Sequence, residues 1–486
     1  MTKLKFFLFA AMIGHLSAQS QNTLLFDASK FVVQTQEFQG KTLKIRAYEK
    51  IIYVANPIDT AYQVMNIYMP EAYFDKESIN GYTAETAPIF FPNRVGGYMP
   101  AQPATFINSP QRGGFGGPPP SAVAMALSKG YVVASAGARG RISPTGKAPA
   151  GLVDLKAAIR YLKFNDKNMV GDANKIISNG TSAGGAMSTL LGATGNHRDY
   201  GPYLKAIGAA NATDNIFAVS AYCPIINLEY SDMAYEWQFN KVHAYKKMIF
   251  SNVNGEMKRE MKEGILDAAA IKTSDALKKA FPQYVNGLNL KNDKGKKLKL
   301  STDGEGDFKE WVKSYIMTSA QKALDKGVDV SKHRFLQIEN GKVLSVDYEA
   351  YLIYMERMKT PPAFDAFDNS SPENQLFGSS TIDKRHFTNF AIQQTASDPS
   401  KMADKQQIKM MNPMNYIGDK AANSAKYWRV RHGAKDKDTG LAIPVILATT
   451  LQNKGFKVDF ALPWDVPHSG DYDLDDLFKW ADAICK

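Results

Sequence analysis

The stretch Lys175-Ile176-Ile177-Ser178-Asn179-Gly180-Thr181-Ser182-Ala183-Gly184-Gly185-Ala186 decides how the rest of the chain is read. Lys175 to Ser178 has strand character, and the small-residue run Ala186 to Leu191 reads as a helix. Between them stands G-x-S-x-G. The pattern is short enough to arise by chance in a chain of 486 residues, so its setting matters more than its letters. A serine at a strand-to-helix turn is held in a strained conformation, and its neighbours two positions away must be small for the backbone to pass. The turn lifts the hydroxyl clear of the sheet, at a helix N-terminus whose amides favour developing negative charge. Ser182 is therefore the candidate nucleophile, rather than part of an ordinary glycine-rich turn, once its partners are counted.

Working outward, the segments Phe31 to Phe38, Leu43 to Val54 and Tyr62 to Met69 carry β-branched or aromatic residues at period two. They read as antiparallel strands at a sheet edge. Ala87 to Phe91 and Tyr131 to Ser135 are continuous apolar runs, as buried parallel strands require. Leu152, Leu155, Ala158, Ile159 and Leu162 have helical spacing. Strand, helix, strand in this rhythm predicts an α/β fold: a mostly parallel central sheet flanked by helices. The rhythm stops near residue 225. The block 226–424 is rich in Lys, Met and Tyr, helical in places, and lacks alternating strands. The rhythm resumes with Tyr427 to Arg431 as a strand, Leu441 to Asn453 as a helix, Lys457 to Leu462 as a strand and Leu474 to Ile484 as a closing helix. The expected organisation is a core over 19–225, a large inserted lid or substrate-binding domain over 226–424, and the rest of the core over 425–486. Gly113 to Pro120 reads as a flexible loop near the site entrance.

At 22% charged and 44% hydrophobic residues, the composition is that of a folded protein and excludes disorder or a fibrous repeat. Lys3 and Lys5 precede the apolar run Phe6 to Ile13, and Leu16-Ser17-Ala18 leads into polar Gln19-Ser20-Gln21. This is the layout of a secretory signal peptide over 1–18, cleaved near Ala18, which predicts a secreted or periplasmic protein. No other apolar run approaches the ~20 residues that span a bilayer. The net charge is +11, and loss of residues 1–18 removes two lysines and no acids, leaving +9. The basic residues are scattered, and the densest stretch, Lys291 to Lys299, lacks interleaved aromatics, so no nucleic-acid partner is expected. Two cysteines, Cys223 and Cys485, exclude a disulfide scaffold or a cysteine zinc site and leave a single bridge open.

A serine hydroxyl needs a histidine to take its proton, and that histidine needs a carboxylate to fix its tautomer. In the order Ser, acid, His, the base should follow the last core strand, where Trp464-Asp465-Val466-Pro467-His468-Ser469-Gly470 supplies His468. The acid should follow the preceding strand. There Arg431-His432-Gly433-Ala434-Lys435-Asp436-Lys437-Asp438-Thr439 offers two carboxylates, of which Asp436, nearer the strand end, is preferred over Asp438. His432 reads as a packed loop histidine. Oxyanion donors are expected from the amide of Ala183 and from Val95-Gly96-Gly97, with Gly96 the first choice and Gly97 its neighbour.

The elbow Gly180 to Ala186, the Arg431 to Thr439 segment and Ser370-Ser371-Pro372-Glu373-Asn374 together resemble bacterial tannases of subtype B, within the α/β-hydrolase fold. The resemblance covers essentially the whole mature chain and is loose in much of the insertion. Fungal tannases and their feruloyl-esterase relatives place cysteines beside the catalytic serine and histidine, where this chain has Thr181 and Ser469. The resemblance implies an exported serine esterase that hydrolyses galloyl esters of tannins, with Lys359, Glu373 and Asp438 holding the three phenolic hydroxyls. A carboxylate can accept from two neighbouring phenols, and an ammonium favours a partly ionised one. It implies a small-molecule phenolic ester as partner, no cofactor and no metal, since no histidine pair stands at ligand spacing. The alternative is a feruloyl or general carboxylesterase of the same fold.

Overall fold

The computed structural model describes residues 23–106, 121–253, 256–395 and 401–486. The signal segment and the Gly113 to Pro120 loop lie outside the described residues. The chain divides into two compact units. One takes the chain up to Ser220 with Gly418–Tyr427 and Asp471–Lys486, and the other takes Ala221–Ile417 with Trp428–Gly470.

The first unit is built on β1 (Val32–Phe38), β2 (Lys41–Ile52), β3 (Val64–Pro70), β4 (Pro88–Pro92), β5 (Val132–Ala136), β6 (Asp172–Thr181) and β7 (Ala218–Tyr222), the last straddling the boundary. Their order is β1-β2-β3-β5-β4-β6-β7. The first three strands pair antiparallel and β1 is the edge, as the alternating pattern requires. β3 departs from that pattern: it also pairs with β5, and all seven of its residues are buried. β4 runs parallel to both β5 and β6. Its Ile89, Phe90 and Phe91 have no exposed surface, which is why this strand reads as a continuous apolar run. Helices Ala122–Ser128, Ala150–Phe164, Ala183–Ala193, Gly201–Ala206 and Leu474–Cys485 belong to the same unit. The fold is α/β, with a mostly parallel central sheet and flanking helices.

Helix Ala150–Phe164 carries two buried charge clusters. Asp154 receives Arg139 Nη2 at 2.8 Å and Gln63 Nε2 at 2.8 Å. Lys156 lies 2.7 Å from Asp214, whose other oxygen accepts from Arg160 Nε at 2.8 Å.

In the second unit β7 continues to β12 (Tyr427–Arg431) and β13 (Lys457–Ala461). Helices Leu228–Phe239, Ala268–Gly287, Asp307–Asp325 and Tyr348–Met355 contribute to an aromatic cluster in which the Trp237 ring lies 5.4 Å from Phe281, 5.9 Å from Phe308 and 6.1 Å from Tyr348. Residues 226–424, read from the sequence as without alternating strands, hold two hairpins that the sequence reading did not foresee. β8 (Ala244–Val253) pairs with β9 (Glu256–Ile265), and β10 (Leu336–Glu339) with β11 (Lys342–Val346), both antiparallel. The cause is turn chemistry. Asn340 and Gly341 between β10 and β11 both take positive φ, at 50° and 73°, the backbone a two-residue hairpin turn needs. Asn254-Gly255 stands in the sequence between β8 and β9. Among the described residues no helix is long and apolar enough to cross a membrane.

Lys156 and Asp214 both have fully buried side chains, and Asp214 also holds Arg160, so removing Asp214 takes the carboxylate from a buried ammonium. Asp214→Ala is expected to cost about 3–5 kcal/mol, read as a large fall in Tm by calorimetry.

Candidate active site

β6 ends at Thr181 and helix Ala183–Ala193 begins two residues later. Ser182 joins them at φ 61°, ψ −122°, a conformation that L-residues take only when their surroundings enforce it. The glycines around it are needed for space. A Cβ on Gly180 would meet the Gly184 carbonyl oxygen at 2.3 Å, and one on Gly184 would meet Asn93 Oδ1 at 2.8 Å and Val95 O at 2.9 Å.

Asn93, which sequence reasoning missed, locks this turn to the loop after β4. Its Nδ2 donates to Asn179 O at 3.1 Å, Gly184 O at 3.0 Å and Ser188 Oγ at 3.1 Å, and its own amide donates to Asn179 O at 2.9 Å. The loop that carries Gly96 is thereby fixed against the segment that carries Ala183. Ala183 is buried and Gly96 exposed. Nothing crowds Gly96, whereas Gly97, at φ 54°, takes the backbone that favours glycine.

In the second unit, the loops after β12 and β13 bind each other. Ala434 N donates to Pro463 O at 2.9 Å and Lys435 N to Val466 O at 3.0 Å. Gly433 permits the approach, because a Cβ there would lie 2.0 Å from Val466 O. Asp436 and His468 are brought together by this junction. His468 Nδ1 donates to Asp436 Oδ2 at 2.8 Å, and the amide of Asp438 donates to Asp436 Oδ1 at 2.9 Å. Asp438 Oδ2 stays 3.6 Å from the same ring nitrogen, on a side chain 27% exposed. His432 is fully buried, and its Nδ1 lies 3.8 Å from Asp436. Burial pushes it below the usual histidine range, which keeps it neutral. Burial also opposes charge on His468 and Asp436, but their mutual attraction outweighs it. His468 is held well above the usual histidine range and Asp436 below the usual carboxylate range.

Cys223 is the neighbour the sequence gave no reason to place here. It sits at φ 36° just past β7, with Sγ 3.9 Å from His468 Nε2 and 3.3 Å from Ser469 O. Neither Cys223 nor Cys485 forms a disulfide. Cys223, Asp436 and His468 each offer an atom within 4.8 Å of the others, a set able to hold a metal ion, although the carboxylate and ring are already bound to each other.

Lys359 is partly exposed, with Nζ 3.8 Å above the ring of Phe364. Glu373 is buried in the first turn of the short helix Pro372–Leu376, whose N-cap Ser371 accepts from Asn374 N at 3.1 Å. Tyr235 ties the Lys359 segment to the one carrying Asp438. Its hydroxyl accepts from the amides of Met358 at 3.1 Å and Lys359 at 3.0 Å, and donates to Lys437 O at 3.2 Å.

The family model described as BD-FAE, an α/β-hydrolase family, matches residues 117–285. The chain is similar to the solved Fusobacterium nucleatum tannase at 51% identity and TM-score 0.89, over 95% of this chain and 99% of that one. It is similar to a tannase from Lactobacillus plantarum at 45% identity and TM-score 0.89, over 95% and 100%. The chain belongs to the bacterial tannase family. A tannin acyl hydrolase in complex with ethyl gallate matches it at 45% identity and TM-score 0.88, over 96% and 99% of the two chains. Comparison with curated protein sequences finds no match. As a member of the tannase family the chain is a carboxylic ester hydrolase of the α/β-hydrolase fold.

The Asp436–His468 pair of this tannase-family chain has a defined pH signature. The raised histidine stabilises the fold fully below its unfolded value of about 6.5, and the lowered carboxylate does so above about 4, so the contribution is complete between these limits. It is lost as pH rises through the folded histidine value or falls through the folded aspartate value. Asp436→Asn removes the charge and keeps the burial. The His468 titration, followed by NMR of the imidazole, should then drop from above the ordinary histidine value to below it.

Proposed function

We propose that the protein is an exported serine esterase that hydrolyses galloyl esters of tannins. In this reading Ser182 Oγ attacks the ester carbonyl carbon while His468 Nε2 takes its proton, and Asp436 holds the imidazole through Nδ1. The amides of Ala183 and Gly96 stabilise the oxyanion. Collapse of the tetrahedral intermediate breaks the ester bond, and the departing alcohol takes its proton from His468. Water, deprotonated by the same histidine, then cleaves the galloyl-serine ester and frees gallate. Lys359, Glu373 and Asp438 bind the ring hydroxyls. The block 226–424 serves as the substrate-binding insertion of a core formed by 19–225 and 425–486, and residues 1–18 direct export.

One observation carries the reading: two aspartates stand two residues apart and are unequally placed. Asp436 is buried and bonded to His468 at 2.8 Å, while Asp438 keeps an exposed edge at 3.6 Å. That difference suits one carboxylate to orient the histidine and the other to meet a substrate hydroxyl. The ethyl gallate complex of a similar tannin acyl hydrolase supports gallate as the acyl group.

Ser182→Ala should abolish turnover of methyl gallate in a folded protein. Residual activity within about tenfold of the parent would remove the assignment, because loss of the nucleophile costs far more in such triads. A substrate panel tests the specificity. Methyl gallate should outpace an ester with methylated ring hydroxyls by a factor that can reach about 10⁴, since a site built for hydroxyls is left unpaired without them. Asp438→Asn should depress gallate ester hydrolysis and spare p-nitrophenyl acetate, whereas Asp436→Asn should damage both. Equal rates on methyl gallate, methyl ferulate and p-nitrophenyl acetate would leave a general carboxylesterase.

A further inference from the structure

Helix Leu228–Phe239 presents Asp232, Tyr235 and Glu236, spaced i, i+3 and i+4, on one face. All three are buried, and all three bind segments that carry or adjoin Lys359, Glu373 and Asp438. Asp232 Oδ1 accepts from Phe364 N at 2.7 Å and Oδ2 from Asp365 N at 3.2 Å. Phe364 is the ring beneath the Lys359 ammonium. Asp365 in turn accepts from Asn374 Nδ2 at 2.7 Å, one residue beyond Glu373. Glu236 pairs with Arg357, and Arg357 Nε donates to Lys359 O at 2.7 Å. Tyr235 makes the most direct link. Its single hydroxyl receives the Met358 and Lys359 amides and reaches the carbonyl of Lys437, beside Asp438.

Lys359 and Asp438 are therefore held in mutual register through one phenolic oxygen. We propose that Tyr235 is a positioning residue for substrate selection: its hydroxyl fixes the spacing of Lys359 and Asp438 to that of neighbouring ring hydroxyls, without touching substrate. This rests on the reading that these two residues grip the gallate ring. A phenol in this place is economical, because one oxygen accepts two amides and donates once, a combination that no carboxylate or ammonium supplies. The hydroxyl also keeps its proton at working pH, since burial pushes it above the usual tyrosine range.

The test is Tyr235→Phe, which removes the oxygen and keeps the ring that packs against Phe239 at 4.8 Å. KM for methyl gallate should rise by about tenfold or more, with kcat changed less, because misplacing a binding group by a fraction of an ångström weakens recognition before it harms the chemistry. The rate on p-nitrophenyl acetate, which offers no ring hydroxyls on its acyl group, should stay within about twofold of the parent. A purely structural role would lower Tm and scale both esters alike, and that result overturns the proposal. So does an unchanged KM for methyl gallate in the folded variant. Glu373→Ala separates this proposal from the reading beneath it. If Glu373→Ala raises the gallate KM and Tyr235→Phe does not, only the positioning role fails. If the parent does not favour hydroxylated rings at all, the gallate reading itself falls. Should Tyr235→Phe not fold, Asn374→Ala, which cuts the link from Asp365, examines the same scaffold on the Glu373 side, with the same two esters deciding.

Discussion

Asp436 has no exposed surface, yet it carries a charge. An ionised carboxylate that is buried and unpaired costs several kcal/mol, so its two oxygens must be met by donors. Here they are met by His468 Nδ1 and by the amide of Asp438. Each donor has its own requirement. The histidine must arrive on the loop after β13, which needs Gly433 to let Val466 O approach. The amide of Asp438 must turn back toward Asp436, which places the second carboxylate beside the same imidazole without a hydrogen bond to it. The inequality of the two aspartates thus follows from satisfying one of them.

Much of this was legible because it is local. Gly180 and Gly184 stand within two residues of Ser182, so the motif is visible along the chain, although the atoms that a Cβ on Gly184 would meet belong to Asn93 and Val95 on the loop after β4. Apolar runs announced β4 and β5, and helical spacing announced Ala150–Phe164, because periodicity is a property of neighbours along the chain. The hairpin β10–β11 was also written locally, in Asn340-Gly341, but its strands are short and mostly exposed, so turn chemistry was the only signal. Other neighbours of these groups leave no trace in their surroundings. Asn93 works on groups 86 to 95 residues away. Cys223 meets a histidine 245 residues on, and Tyr235 bridges partners 123 to 202 residues away. A buried polar side chain finds its partners through the tertiary fold, and no spacing rule reaches that far.

The segments around Ser182 and around Lys359 reach precision by different means. At Ser182 the backbone itself is forced, and a residue with φ 61° persists only because its surroundings over-determine it. The determination comes from Asn93, whose amide spans three acceptors on the segments before and after the serine. Around Lys359 and Glu373 the precision lies in side chains bonded to backbone groups, with Tyr235, Asp232, Asp365 and Arg357 in the interior.

That second arrangement is poor value as a source of stability. It buries Asp232, Glu236 and Asp365 with Arg357 as the cation bound among them, where well-packed apolar residues of similar volume would often stabilise as well or better. The chain tolerates it by answering each acid differently. Glu236 is paired with Arg357. Asp365 accepts from Asn374, His386, the amides of Phe387 and Thr388, and the Thr388 hydroxyl. Asp232, buried and beside the Asp365 charge, is pushed up to about 8, so at neutral pH it keeps its proton and adds little charge to the interior. What such a network supplies, and packed hydrocarbon does not, is direction: each hydrogen bond fixes an angle as well as a distance. Loops whose charged groups must keep a fixed spacing need direction more than they need adhesion.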